Sequence, residues 1–167
     1  MADIGADLLL PGPDEVEETL GMLVGKSVTT KRIANPQTTS FKGSVSIYTF
    51  DDESVGAAIF CEIGLTNSLG AAMMMIPAGA AEDATDEGEI PNNLLENFKE
   101  VANVLTAIMN DKRTHAKRVK LSKVLVAPDE LNDDILPLLK SPARVASFDA
   151  FIPGGYPGGE IRFCLAL

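Results

Sequence analysis

Between Leu94 and Asn110 the chain places Glu96, Glu100, Asn103, Ala107 and Asn110 three or four residues apart, the spacing of one helix face. On a wheel of about 100° per residue all five fall within about 40° of Glu96. Leu94, Phe98, Val101, Leu105, Ile108 and Met109 fall between about 120° and 220°, forming one apolar stripe on the opposite side. Carboxylates and primary amides therefore share a surface. The small Ala107 between the two asparagines leaves room for another molecule to approach. Asn103 is mid-helix, where asparagine is less favourable than alanine by roughly half a kcal/mol. Carboxylates alone do not identify an acid–base pair. The face fits a plain solvated surface, or one that presents hydrogen-bonding groups to a partner.

Other chemistry-bearing residues form no constellation. His115 is the only histidine, so multi-histidine metal sites are excluded, and it has no Cys or Ser partner motif. Cys61 and Cys164 lie in apolar runs without CxxC spacing, as small core hydrophobes do in a reducing cytosol. The sequence offers no resident metal and no cofactor site. Ala72–Ile76, with three consecutive methionines, fits adaptable packing. Pro153–Gly159 is glycine-rich but opens no helix, so it is expected as a hairpin loop and not a phosphate cradle. Lys112, Arg113, Lys117, Arg118, Lys120 and Lys123 follow the helix in a basic tract, suited to a helix C-terminus and a solvated turn.

The elements that must hold this face can be placed along the chain. Pro13 and the acids Asp14, Glu15, Glu17 and Glu18 open a first helix, with Val16, Leu20, Leu23 and Val24 at helical spacing and Gly25 as its stop. Strands are expected at Ser27–Ile33, Ser44–Phe50 and Ser54–Ile63, with Asp51–Glu53 as a hairpin turn between the last two. A helix over about 67–76 ends at Pro77. Residues 79–90, small or acidic, are expected as a solvated loop. Pro91 then opens the strongest helix, running to about Asp111. Strands follow at Arg118–Ala127, Arg144–Ile152 and Glu160–Leu167, with a short helical piece at Asn132–Leu139. The order is helix and three strands, a helix, then helix and three strands again. That makes an α+β chain of pseudo-duplicated helix-plus-three-strand units, its antiparallel sheet covered by helices.

The 167 residues make one domain, 1–167, with 1–12 as a loose N-terminal segment. With 14 Lys and Arg against 24 Asp and Glu, the net charge is −10. Such a chain is a poor partner for nucleic acid or an anionic membrane surface. The longest apolar run, Leu69–Ala81, is broken by Gly70, Pro77 and Gly79 and is too short to span a bilayer. The first ten residues lack the cations of a signal peptide, so a cytoplasmic protein is expected.

Glu100-Val101-Ala102-Asn103 resembles the E-x-x-N motif of the CheC/CheX/FliY phosphatases of bacterial chemotaxis. Glu96, Glu100, Asn103 and Pro128 stand at the places of that family's longer pattern, and the duplicated element order is similar to its fold. Glu96 replaces the usual Asp or Ser, and 24 residues separate Asn103 from Pro128, two more than the pattern has. The first helix echoes it with Asp14 and Glu18 but carries Gly21 where Asn would stand. One intact copy looks most like CheX, whose type forms homodimers. The resemblance implies a phosphatase acting on the aspartyl phosphate of a CheY-like response regulator, with Mg²⁺ on the partner receiver. Asn103 would orient the water and Glu100 would meet the receiver's active-site lysine. Glu96, Ala107 and Asn110 would contact the partner. The rival expectation is a non-catalytic module that docks a receiver or another chemotaxis component through the same helix.

Overall fold

The computed structural model describes residues 8–36, 40–110 and 118–166. Helix α1 (Pro13–Val24) leads to strands β1 (Thr29–Ile33), β2 (Gly43–Thr49) and β3 (Val55–Glu62). Helices α2 (Ile63–Met73), α3 (Ala78–Asp86) and α4 (Asn92–Met109) come next. Strand β4 (Lys120–Ala127), helix α5 (Leu136–Lys140) and strands β5 (Arg144–Phe151) and β6 (Gly159–Leu165) complete the chain. All pairings are antiparallel, in the order β1-β5-β6-β3-β2-β4. The fold is therefore α+β, with one six-stranded sheet.

The duplicated order has a counterpart in space. Exchanging the two units, so that β1, β2 and β3 trade places with β4, β5 and β6, returns the same strand order read backwards. Each unit keeps its second and third strands as a hairpin and gives its first strand to the other unit's edge. β1 pairs only with β5, and β4 only with β2. Under this exchange α1 is the counterpart of α4.

Alternation along the strands sorts side chains to two faces. Tyr48, Ile59, Phe148, Ile161 and Phe163 join the larger core under α1, α2, α3 and α4. Val45, Ile47, Ala58, Phe60 and Cys164 join a smaller one beneath α5 and Phe41. Helix α2 is buried from Gly64 to Ala72, and its polar Thr66, Asn67 and Ser68 each hydrogen-bond within the molecule.

Several boundaries differ from the sequence expectation. Residues 79–90 are not a plain loop: Ala78–Asp86 is helical, with Ala81 and Ala84 buried. The Asn67 side chain holds this helix by donating to Thr85 Oγ1 at 3.2 Å and to the Glu89 carbonyl at 2.9 Å. Helix α2 starts at Ile63, directly from the end of β3, where a helix from about 67 was expected. Near the N-terminus, Leu8 is buried and the Leu9 N–H donates to the Met109 carbonyl at 2.8 Å, so residues 8–12 are tied to the end of α4. Of the basic tract, Arg118, Lys120 and Lys123 are exposed; Lys112, Arg113, His115 and Lys117 lie outside the described residues. The Pro153–Gly159 loop joins β5 to β6 and is fastened by Ser68 Oγ donating to the Pro157 carbonyl and Tyr156 Oη to the Ile76 carbonyl.

Candidate functional site

Helix α4 has two faces because its sequence has two. Leu94, Phe98, Val101, Ala102, Leu105 and Met109 are buried, while Ile108 is half-buried. Two hydrogen bonds and one close approach fix the helix on the rest of the molecule. The buried Tyr48 hydroxyl donates to the Ala102 carbonyl at 2.6 Å, from the strand below. Asn97 Nδ2 donates to the Gly70 carbonyl at 2.9 Å, from the helix beside it. Gly70 allows that approach, since a Cβ there would sit 2.3 Å from the Leu94 carbonyl oxygen. A face carried by this helix is positioned by both sheet and neighbour.

Glu96, Glu100, Asn103 and Ala107 are all exposed, along one line of that outer face. Glu100 and Asn103 are one turn apart, about 5–6 Å between their Cβ atoms. Neither side chain hydrogen-bonds another described residue. Glu96 instead accepts from Lys99 Nζ at 2.9 Å, an exposed pair of little energetic weight. The arrangement presents a free carboxylate and a free amide to anything that docks, the amide with both a donor and an acceptor.

Asn110 does not belong to that line. It is the C-cap of α4 with extended backbone, φ −83° and ψ 124°. Its Nδ2 donates to the Val119 carbonyl at 3.0 Å, and its Oδ1 accepts from the Val119 N–H at 2.9 Å. Both polar atoms are thus engaged in joining the end of α4 to the start of β4. Its side chain is therefore committed within the fold, though the residue still lines the trough beside Ala107, while Glu96 and Ala107 are exposed. Nor does the structure bring Pro128 to Asn103. Pro128 lines a cavity of about 660 Å³ with Pro91 and Asn92 at the opposite end of α4. That is on the order of 15 Å from Asn103 along the axis, at 1.5 Å per residue.

Sequence reasoning missed a groove beside the exposed line. Leu9, Thr19, Met22, Val104, Ala107 and Ile108 line a trough of about 350 Å³ between α1 and α4. Met22 is 75% exposed there. The signal was a methionine on the polar side of α1, which the helical pattern of that segment does not require.

Cys61 and Cys164 are buried, free thiols. Burial pushes the Cys61 thiol well up, and pushes Cys164 up to about 12, so neither supplies a thiolate nucleophile near neutral pH. Among the described residues no group of three or more His, Cys, Asp or Glu side chains could hold a metal ion. No helix among them is long and apolar enough to cross a membrane.

No protein-family model matches the chain, and no curated protein matches it in sequence. Solved structures do match its fold. The crystal structure of a FliG–FliM complex from H. pylori superimposes with a TM-score of 0.54 at 8% identity, over 92% of this chain and 85% of that one. FliY of Thermotoga maritima gives 0.46 at 16% identity, over 95% and 92% of the two chains. The chemotaxis protein CheX of Vibrio vulnificus gives 0.43 at 11%, over 90% and 93%. The six-stranded antiparallel sheet with its helices matches the fold of the matched chain in that FliG–FliM complex. At such identities the likeness is one of fold alone, and a fold hosts several functions.

Proposed function

We propose that the protein is a CheX-type phosphatase that removes phosphate from the aspartyl phosphate of a CheY-like response regulator. One observation carries this reading: Glu100 and Asn103 stand exposed and unengaged on a helix that sheet and neighbour both hold in place. An acyl phosphate is a mixed anhydride that already hydrolyses unaided, so acceleration comes mainly from positioning. Docked in the receiver's pocket, Asn103 holds a water in line with the scissile bond, its amide donating to and accepting from that water. The water oxygen attacks phosphorus, the bond from phosphorus to the acyl oxygen breaks, and the receiver's aspartate leaves as carboxylate. Glu100, one turn earlier, pairs with the receiver's lysine and anchors the helix. Mg²⁺ resides on the receiver. The protein acts as a cytoplasmic homodimer, assembled through the edges that β1 and β4 leave unpaired.

The test is phosphoryl loss from a purified, phosphorylated receiver at catalytic amounts of this protein. Wild type is expected to accelerate it, and Asn103→Ala to remove most of that acceleration without lowering the unfolding temperature. Full activity of Asn103→Ala on a receiver that the wild type dephosphorylates would falsify the mechanism. A monomer in sedimentation at micromolar concentration would overturn the dimer alone.

A second reading, a non-catalytic module docking a receiver or another chemotaxis component, is favoured by the separation of Pro128 from Asn103 and by the FliG–FliM structure. Binding of the receiver without turnover decides for it.

A further inference from the structure

A receiver as partner poses an electrostatic problem. Helices α1 and α4 expose Asp14, Glu15, Glu18, Glu96 and Glu100, while Glu17 turns in to Thr30; their single cation, Lys99, is already held by Glu96. A surface of this sign is being brought against a phosphoryl group. One lysine in the receiver's pocket does not offset five exposed carboxylates, so the receiver's surface around the pocket must supply further cations.

Geometry says where. A stable interface covers roughly 800 Å² per partner, a patch about 30 Å across. Ala107 is one turn from Asn103, and it forms a wall of the groove between α1 and α4. A receiver centred on Asn103 therefore overhangs that groove. Its floor is apolar, from Val104 and Ile108, and the exposed Met22 stands at its side. Methionine is flexible and polarizable, able to fit an incoming side chain without a preset shape. Glu15 also lines the groove, and Glu18 is exposed on the same helix. The trough is open to solvent, and its lining is mostly apolar with Glu15 as its one acid.

We propose, resting on the receiver reading, that this groove takes an amphipathic helix of the receiver, its apolar side chains seated on Met22, Val104 and Ile108 and its flanking lysines or arginines facing Glu15 and Glu18. Met22 is then an affinity anchor that takes no part in hydrolysis.

The test titrates the full chain calorimetrically with a CheY-like receiver loaded with Mg²⁺ and beryllium fluoride. Met22→Lys, which puts a cation against the incoming cations, is expected to weaken binding at least about tenfold, whereas Met22→Leu stays within about twofold. Raising NaCl from about 0.05 to 0.3 M is expected to weaken wild-type binding severalfold. Asn103→Ala is expected to bind nearly as wild type while losing turnover. Wild-type affinity in Met22→Lys, or affinity indifferent to salt, overturns the groove and leaves the phosphatase reading standing. Binding that is sensitive at Met22, without turnover by the wild type, overturns the phosphatase and leaves the groove. A receiver that the wild type neither binds nor dephosphorylates overturns both. Because Met22 is exposed, unfolding temperatures of its variants are expected to match wild type.

Discussion

Helices α1 and α4 hold equivalent places in the two units, yet only one presents the motif. Glu18 and Gly21 stand where Glu100 and Asn103 stand, and Val16 and Leu20 are buried as their counterparts Phe98 and Ala102 are. The difference lies beyond the motif's third place. Helix α4 runs to Met109, two further turns past Asn103 at about 3.6 residues each, before Asn110 caps it. Helix α1 stops at Val24, and Gly25 turns back in the left-handed region at φ 68°. The N–H groups of Gly25 and Lys26 both reach the Gly21 carbonyl, at 2.9 and 3.3 Å. A Cβ on Gly21 would lie 3.0 Å from the Lys26 carbonyl oxygen. A side chain at that place crowds the turn that ends α1 only three residues later.

That comparison can be broken at its core side first. Leu105→Ala is expected to cost roughly 2–5 kcal/mol in denaturant unfolding, while Leu23→Ala, at the half-buried counterpart in α1, costs about 1 kcal/mol. Equal losses would mean that the two helices are held equally. Gly70→Ala is expected to cost roughly 1–3 kcal/mol, because the added methyl meets the Leu94 backbone, which cannot swing aside. Asn110→Ala, measured in the same way, is expected to cost about 1–2 kcal/mol through the two lost bonds to Val119. The smallest effect sharpens the contrast. Gly21→Asn restores the motif's letters in α1, yet phosphoryl loss should stay at the wild-type rate, with stability changed by no more than about 1 kcal/mol.

What could be read in the sequence depends on where apolar patterning is strong. Helix α4 was legible in both faces because large side chains alternate with charged and amide ones at helical spacing. Helix α3 was not, since its buried side consists of the methyls of Ala81 and Ala84, too small to mark a stripe among five acids. The start of α2 was hidden because the polar residues of Ala57–Ala72, Glu62, Thr66, Asn67 and Ser68, follow neither strand nor helix spacing, so no change of period marks Glu62 and Ile63. Asn110 was misplaced by the wheel itself, which assumes a helical backbone where the residue is extended. The line of Glu96, Glu100, Asn103 and Ala107 needed only periodicity. The groove at Met22 needed the packing of α1 against α4, which no local pattern encodes.

The traded first strands have a consequence for how the molecule can come into being. Thr29 lies opposite Phe151 and Ile33 opposite Ser147, so β1 waits for β5, a strand that follows it by more than a hundred residues. Contacts of such long sequence separation favour slow folding. They also weld the units into a single cooperative transition, because either unit alone would keep a hairpin and lack an edge. Cleaving the connection near Pro77 would yield two fragments that cannot complete a sheet separately but can complement each other when mixed. The same reciprocity gives two intact copies a route to domain exchange, each lending the other the strand it would have lent itself. The surface that carries Asn103 stands, on this account, on a sheet completed only when β1 and β5 have met.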